Sequence, residues 1–394
     1  MHIFLRHISK KNSLEIQNFS LLRNTAFSVL RVTRSITIQL HYPRLESSAF
    51  LRYSVSPVSL LFLGLMLLSA CSKDPFSPNP ASSFEGPDFP AYFPAPHYQS
   101  NENSWHPDRI ELGRQLFYDP ILSSDSSVSC ASCHHASHAF SDFGKALSTG
   151  VNGAIGSRNS PALFNLLWST SFMWDGGINH LEIMPFAPIT LPAEMNEDMN
   201  HVLTKLNRHP QYKPLFDKSF GPGEISSKEF FYVLAQFMGS LVSANSKYDL
   251  FRQGKISFSS DEQKGYQLFQ VHCNRCHTEP LFTNQGFANN GQDSVFSDEG
   301  RYRITLDPAD KGKFKIPSLR NIGLSYPYMH NGKFNSLQEV LNHYSSSVKQ
   351  TETIDPQLIG GIPLNDLEKN QIIQFLHTLT DTAFIQNKSH QNPF

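Results

Sequence analysis

Apolar positions recur at helical spacing along most of the chain, and the segments between them are long and polar. Ile110, Leu112, Leu116 and Phe117 mark one helix. Pro107 suits its first turn and Asp119-Pro120 stops it. Residues 229–251 predict a longer helix with Phe230, Val233, Leu234, Phe237 and Leu241 on one face. Ser260 with Gln263 reads as a capping box for a third helix, and Asn365 with Glu368 as the opening of a last one carrying Leu367, Ile372, Ile373, Leu376 and Leu379. No stretch alternates convincingly with period two, so the pattern predicts a mainly α chain. Near the N-terminus the pattern changes. Val58 to Ala70 is a run of thirteen largely apolar residues, short of the ~20 that a spanning helix needs. Arg44 and Arg52 precede it and small residues close it, which is the layout of an export signal.

The end of that run, Leu68-Ser69-Ala70-Cys71, resembles a bacterial lipobox. The resemblance implies cleavage before Cys71, lipidation of its thiol and anchorage to a membrane in the periplasm or cell envelope. Residues 71–104, rich in Pro and Ser, then read as an extended tether. Within the body, Gly113-Arg-Gln-Leu-Phe117 and Gly265-Tyr-Gln-Leu-Phe269 echo each other, each leading into a C-x-x-C-H run. The echo predicts two related modules, and the polar stretch 252–259 is a natural boundary. The expected organisation is therefore a leader over 1–70, a tether over 71–104 and two domains over 105–255 and 256–385.

Charge changes the picture only once the leader is set aside. Residues 1–70 hold eight of the 33 Lys and Arg but two of the 34 Asp and Glu, leaving 25 basic against 32 acidic groups in the remainder. That mildly acidic body carries no basic stripe and argues against nucleic acid as a partner. It could attract a basic partner protein. The five cysteines are too few and odd in number for a disulfide framework.

Cys130-Ala131-Ser132-Cys133-His134 and Cys273-Asn274-Arg275-Cys276-His277 both have the spacing of a c-type haem attachment site. Two thiols must reach the two vinyl groups of one porphyrin, and the adjacent His then lies under the iron as its proximal ligand. Zinc would need further ligands and would pair the two motifs into one site. A redox dithiol has no need of a following His, twice.

Residues 105–382 resemble the bacterial di-haem cytochrome c peroxidase family, which includes the MauG-type enzymes. The likeness is carried by LGRQLFYDPILSSDSSVSCASCH (112–134), RNSPALFN (158–165), FMWDGG (172–177), AEM (193–195), GKFKIPSLRNIG (312–323) and YPYMHNG (326–332). It implies two cytochrome c-like helical domains, each holding one haem c. Peroxide would react at the first haem, and the second would take electrons from a small donor, a cytochrome c or a cupredoxin-like protein. Glu194 matches the carboxylate over the peroxide-binding face, where general acid–base work is needed. Trp174 matches the Trp between the haems. Asn159, Ser325 and Pro327 match the ligands of an inter-domain calcium ion, the latter two through backbone carbonyls. Members of the family often form homodimers.

Three positions depart from the peroxidase pattern. Val151 stands where classical members place a His that blocks the first iron, and Met184 stands where a distal-pocket Gln is usual. His135 and His138 lie near but belong to the attachment segment. Tyr344 stands where classical members use a Met as sixth ligand of the second haem, and MauG-type proteins also have a Tyr there. Met329 is nearer the motif, at a position that does not ligate in the family. The expected function is reduction of hydrogen peroxide to water. The alternatives are a MauG-like oxidase acting on a protein or small molecule, and a non-enzymatic di-haem electron carrier.

Overall fold

The structure, a computed structural model, describes residues 84–394. The apolar run at 58–70 and Cys71 lie outside the described residues. Those described form eleven α-helices, several single 3-10 turns and one short antiparallel ribbon, β1 (Phe287–Ala288) with β2 (Phe314–Lys315). The mainly helical expectation stands.

The repeat seen in the sequence is a repeat of helix crossings. Helix α1 (Pro107–Tyr118) packs on α5 (Ser227–Ser240), and α7 (Ser260–His272) packs on α10 (Asp366–His377). Each crossing is closed by the echoed glycine. A Cβ on Gly113 would lie 1.9 Å from the carbonyl oxygen of Val233, and one on Gly265 would lie 1.9 Å from that of Gln371. Only a residue without a side chain lets the two backbones meet so closely. The echoed Phe one turn later locks each pair: Phe117 meets Phe237 edge-on at 5.2 Å, and Phe269 meets Phe375 at 5.0 Å. Gly113→Ala or Gly265→Ala should force these helices apart and cost on the order of 1–3 kcal/mol or more. Thermal unfolding of the haem-loaded variants would show it as a lowered midpoint.

Two apolar cores result. The first gathers α1, α3 (Met199–Arg208), α4 (Tyr212–Phe220) and α5 around Leu116, Val202, Phe216 and Phe230. The second gathers α7, α9 (Leu337–Asn342) and α10 around Phe269, Leu341 and Phe375. The chain crosses between them: Tyr248 packs in the second core, whereas Leu281 and Phe384 pack in the first.

Three local expectations need correction. The helix expected over 229–251 is two, α5 and α6 (Lys247–Arg252). The break arises because side chains capture the backbone between them: Asn165 Oδ1 accepts from the Ser243 amide at 2.9 Å, and the Asp381 carboxylate accepts from the Ser243 hydroxyl and the Asn245 amide. Ser246 and Asp249 then form a capping box that restarts the helix. The capping box of α7 is Ser259 with Glu262, one residue before the expected pair, while Asn365 with Glu368 caps α10 as expected. Finally, the stretch 71–104 is not tether throughout. Residues 84–104 pack on the body: Phe93 is buried, Trp168 Nε1 donates to the Pro94 carbonyl at 2.7 Å, and the Tyr98 hydroxyl donates to Glu182 at 2.6 Å. Aromatic residues spaced among the prolines give this segment enough apolar surface to dock.

Candidate active site

After α1, a 3-10 turn at Pro120–Leu122 and a second at Cys130–Ser132 carry the chain into the first C-x-x-C-H segment. Ser129 and Ser132 cap that second turn reciprocally and hold Cys130 and Cys133 on one side of it. His134 is half-buried, and its Nδ1 lies 2.8 Å from the carbonyl oxygen of Phe140. A carbonyl only accepts, so Nδ1 carries the proton and Nε2 keeps its lone pair free for a metal. The second segment follows α7 in the same way. His277 Nδ1 faces the carbonyls of Pro317 at 3.1 Å and Phe282 at 3.3 Å, which fixes the same tautomer. Burial pushes both imidazoles down to about 4, so both are neutral donors at physiological pH.

One continuous cavity of about 790 Å³ is lined by both segments, including all four thiols and both imidazoles. The four cysteines are unpaired, and burial pushes Cys130 and Cys273 up to about 12. Such thiols are protonated, unlike the low-pKa thiolates of a redox dithiol. Among the described residues no three His, Cys, Asp or Glu side chains converge as a metal-binding group, so the two motifs do not assemble a shared zinc site. Two free thiols and one oriented imidazole at each end of a largely apolar cavity fit two covalently held haems.

On the first side the cavity wall includes Glu194, Met184 and Met195. Glu194 sits in a turn whose carbonyl accepts from the Val151 amide at 2.8 Å. The loop at 150 lies directly on that turn: a Cβ on Gly150 would come within 2.4 Å of the Ala193 and Glu194 carbonyl oxygens. Three acidic residues lie close together in sequence here, Glu194, Glu197 and Asp198, and the fold separates them. Glu197 is tied to Lys205 at 2.6 Å and His201 at 2.9 Å, and Asp198 caps α3. The Glu194 carboxyl alone of the three lines the cavity, and among the described residues no side chain pairs with it. Burial raises its pKa above the usual carboxylate value. Val151 is buried but does not line the cavity. His135 turns to Asp142 at 3.6 Å and His138 stacks on Phe143, so neither reaches the cavity wall.

On the second side, α9 ends in a π-helical turn over His343–Ser347. Such turns often mark functional positions. This one brings Tyr344 to the cavity wall near Cys273 and Cys276. Burial pushes its phenol up to about 12, partly offset by Asn290. Met329 also lines the cavity, but its sulfur accepts from Asn290 Nδ2 at 3.1 Å. Gln357 Nε2 reaches Cys276 Sγ at 3.6 Å. Asn290 and Gln357 carry no sequence signal, since both come from loops brought in by the fold.

Trp174 lines the same cavity. Its Nε1 donates to the Asn159 carbonyl at 2.7 Å, and its own carbonyl accepts from the Lys315 amide of β2 at 2.8 Å. Asn159 donates through Nδ2 to the carbonyls of Lys145 and Ala146. Asn159, Ser325 and Pro327 line the same cavity. Among the described residues no donor reaches Asn159 Oδ1 or the Ser325 and Pro327 carbonyls.

Several known proteins are similar to this chain. The family model described as di-haem cytochrome c peroxidase matches residues 107–257. The methylamine utilization protein MauG of Methylorubrum extorquens is 35% identical over 72% of this chain and 81% of its own length. The cytochrome c551 peroxidase of Nitrosomonas europaea is 32% identical over 69% of this chain and 80% of its own length. Among solved structures, a MauG-like protein associated with microbial copper homeostasis superposes with a TM-score of 0.73 at 29% identity, covering 78% of this chain and 98% of that one. The chain thus belongs to the di-haem cytochrome c peroxidase family, an oxidoreductase family, and that membership implies two c-type haems.

Proposed function

We propose that this protein reduces hydrogen peroxide at its first haem, with electrons delivered through the second by a small redox protein. The observation that carries this reading is Glu194: a carboxyl on the first side of the cavity, unpaired among the described residues, while its two acidic neighbours are engaged elsewhere. Cys130, Cys133 and His134 hold the first haem, and Cys273, Cys276 and His277 the second, in domains spanning 105–255 and 256–385. The bound haems supply the exchange of electrons with peroxide and with the donor. Glu194 would take the proton from one peroxide oxygen and return it to the other as the O–O bond breaks, so that the departing oxygen leaves as water and not hydroxide. Met184, which has no N–H or O–H, leaves this proton work to Glu194. Val151 offers no ligand atom, so peroxide has access without prior reduction of the protein. Trp174 would lie on the electron path, and Tyr344 would give the second haem an oxygen ligand besides His277.

Two further assignments belong to this reading. Asn159 Oδ1 and the Ser325 and Pro327 carbonyls hold calcium, a neutral oxygen set that water completes. Chelation should therefore lower turnover, and added calcium should restore it; turnover measured before and after dialysis against a chelator checks this. Lipidation at Cys71 anchors the protein to the membrane in the periplasm or cell envelope.

Val151 and Tyr344 also favour a second reading, in which the same oxidising equivalents act on a protein or small molecule, as in a MauG-like enzyme. Steady-state peroxide consumption with a reduced small cytochrome c tests the first reading. Donor oxidation matching two electrons per peroxide supports it. Peroxide bleaching without donor oxidation favours the second.

A further inference from the structure

We infer that Arg158 is a positioning residue for Trp174, acting as a clamp worked from the C-terminal half of the chain; this rests on the reading that Trp174 lies on the electron path. Arg158 and Asn159 are adjacent, as are Trp174 and Asp175, and the two segments are tied twice. Arg158 Nη1 donates to Asp175 Oδ2 at 2.6 Å, and Trp174 Nε1 donates to the Asn159 carbonyl at 2.7 Å. The other edge of the guanidinium is held by Asp298, through Nε at 2.6 Å and Nη2 at 2.9 Å, across 140 positions of sequence. This is the paired geometry for which a guanidinium is suited and an ammonium is not.

The loop that supplies Asp298 grips the second segment as well. Arg301 Nη1 donates to the carbonyls of Asp175 and Gly176, both at 2.9 Å, and the Gly300 amide donates to Asp298 Oδ1 at 3.0 Å. All three charged side chains of the Arg158 triad are largely buried. A buried ion group of this kind is weak evidence for net stability, because desolvation offsets most of its attraction; fixing one geometry is its better-attested use. The geometry fixed here is the indole hydrogen bond, since a shift of the 158–159 backbone moves the carbonyl that holds it.

The test uses the full haem-loaded protein with Asp298→Asn and, separately, Arg158→Lys. Asp298→Asn is nearly isosteric and lies outside both attachment segments. Ultraviolet resonance Raman reads the indole N–H hydrogen bond directly. Trp174→Phe identifies the Trp174 band, and Trp105 and Trp168 serve as internal constants. The expected result is a shift towards a weaker Trp174 hydrogen bond in both variants, with kcat reduced at least tenfold and KM for peroxide unchanged. A shifted band with unchanged kcat would keep the clamp and sink the electron-path role of Trp174. A band unmoved in both variants would overturn the inference, whatever happens to kcat.

Discussion

Glu194→Gln should cut peroxide turnover by about 10²–10⁴-fold, the usual worth of a positioned acid–base group, while leaving both haems attached. The amide keeps the shape and polarity of the side chain but can neither take nor return a proton. Stability should move the other way or not at all. Burial raises the Glu194 pKa in the folded state. A carboxyl so raised favours folding below its unfolded pKa, and that advantage is lost as pH rises through the folded value. At neutral pH Glu194 is therefore a stability cost that Gln removes, so the unfolding midpoint should hold or rise while activity collapses. In the parent, the same shift places the acid limb of the pH–rate profile above the ~4.3 of a solvated Glu. Turnover should fall as pH drops through that raised value, because only the carboxylate accepts a proton. An unchanged rate in Glu194→Gln would remove Glu194 from the mechanism.

Tyr344→Met should change the second haem as strongly. An oxygen donor favours ferric iron, and a thioether raises the potential. The reduced-to-oxidised ratio at a fixed potential should rise tenfold or more, which corresponds to at least about 59 mV for one electron. Spectroelectrochemical titration of the variant against the parent measures it. The first haem should be unaffected, since Tyr344 lines only the second side of the cavity, near Cys273 and Cys276. An unchanged midpoint would mean that Tyr344 does not ligate.

The sequence was most readable where chemistry forces spacing. The two C-x-x-C-H runs, and the glycine and phenylalanine echoed ahead of them, are local features, and the crossings at Gly113 and Gly265 are the packing those glycines permit. What local pattern could not carry was decided by partners far along the chain. The break after Ser240 depends on Asn165 and Asp381, neither near it in sequence. The docking of 84–104 depends on Trp168. Glu194, Glu197 and Asp198 lie close together in sequence, and only Lys205 and His201, which claim Glu197, set Glu194 apart as the one facing the cavity. The Arg158 clamp spans 140 positions and has no sequence signature.

Electron paramagnetic resonance of the fully oxidised, haem-loaded protein, followed by peroxide without prior reduction, tests the central claim most directly. With Val151 offering no ligand atom, and His135 and His138 turned away from the cavity, the first iron should give a high-spin ferric signal that vanishes when peroxide is added. Two low-spin signals, both untouched by peroxide, would mean that another residue closes the first haem, and would contradict a peroxide-using enzyme that is open as isolated.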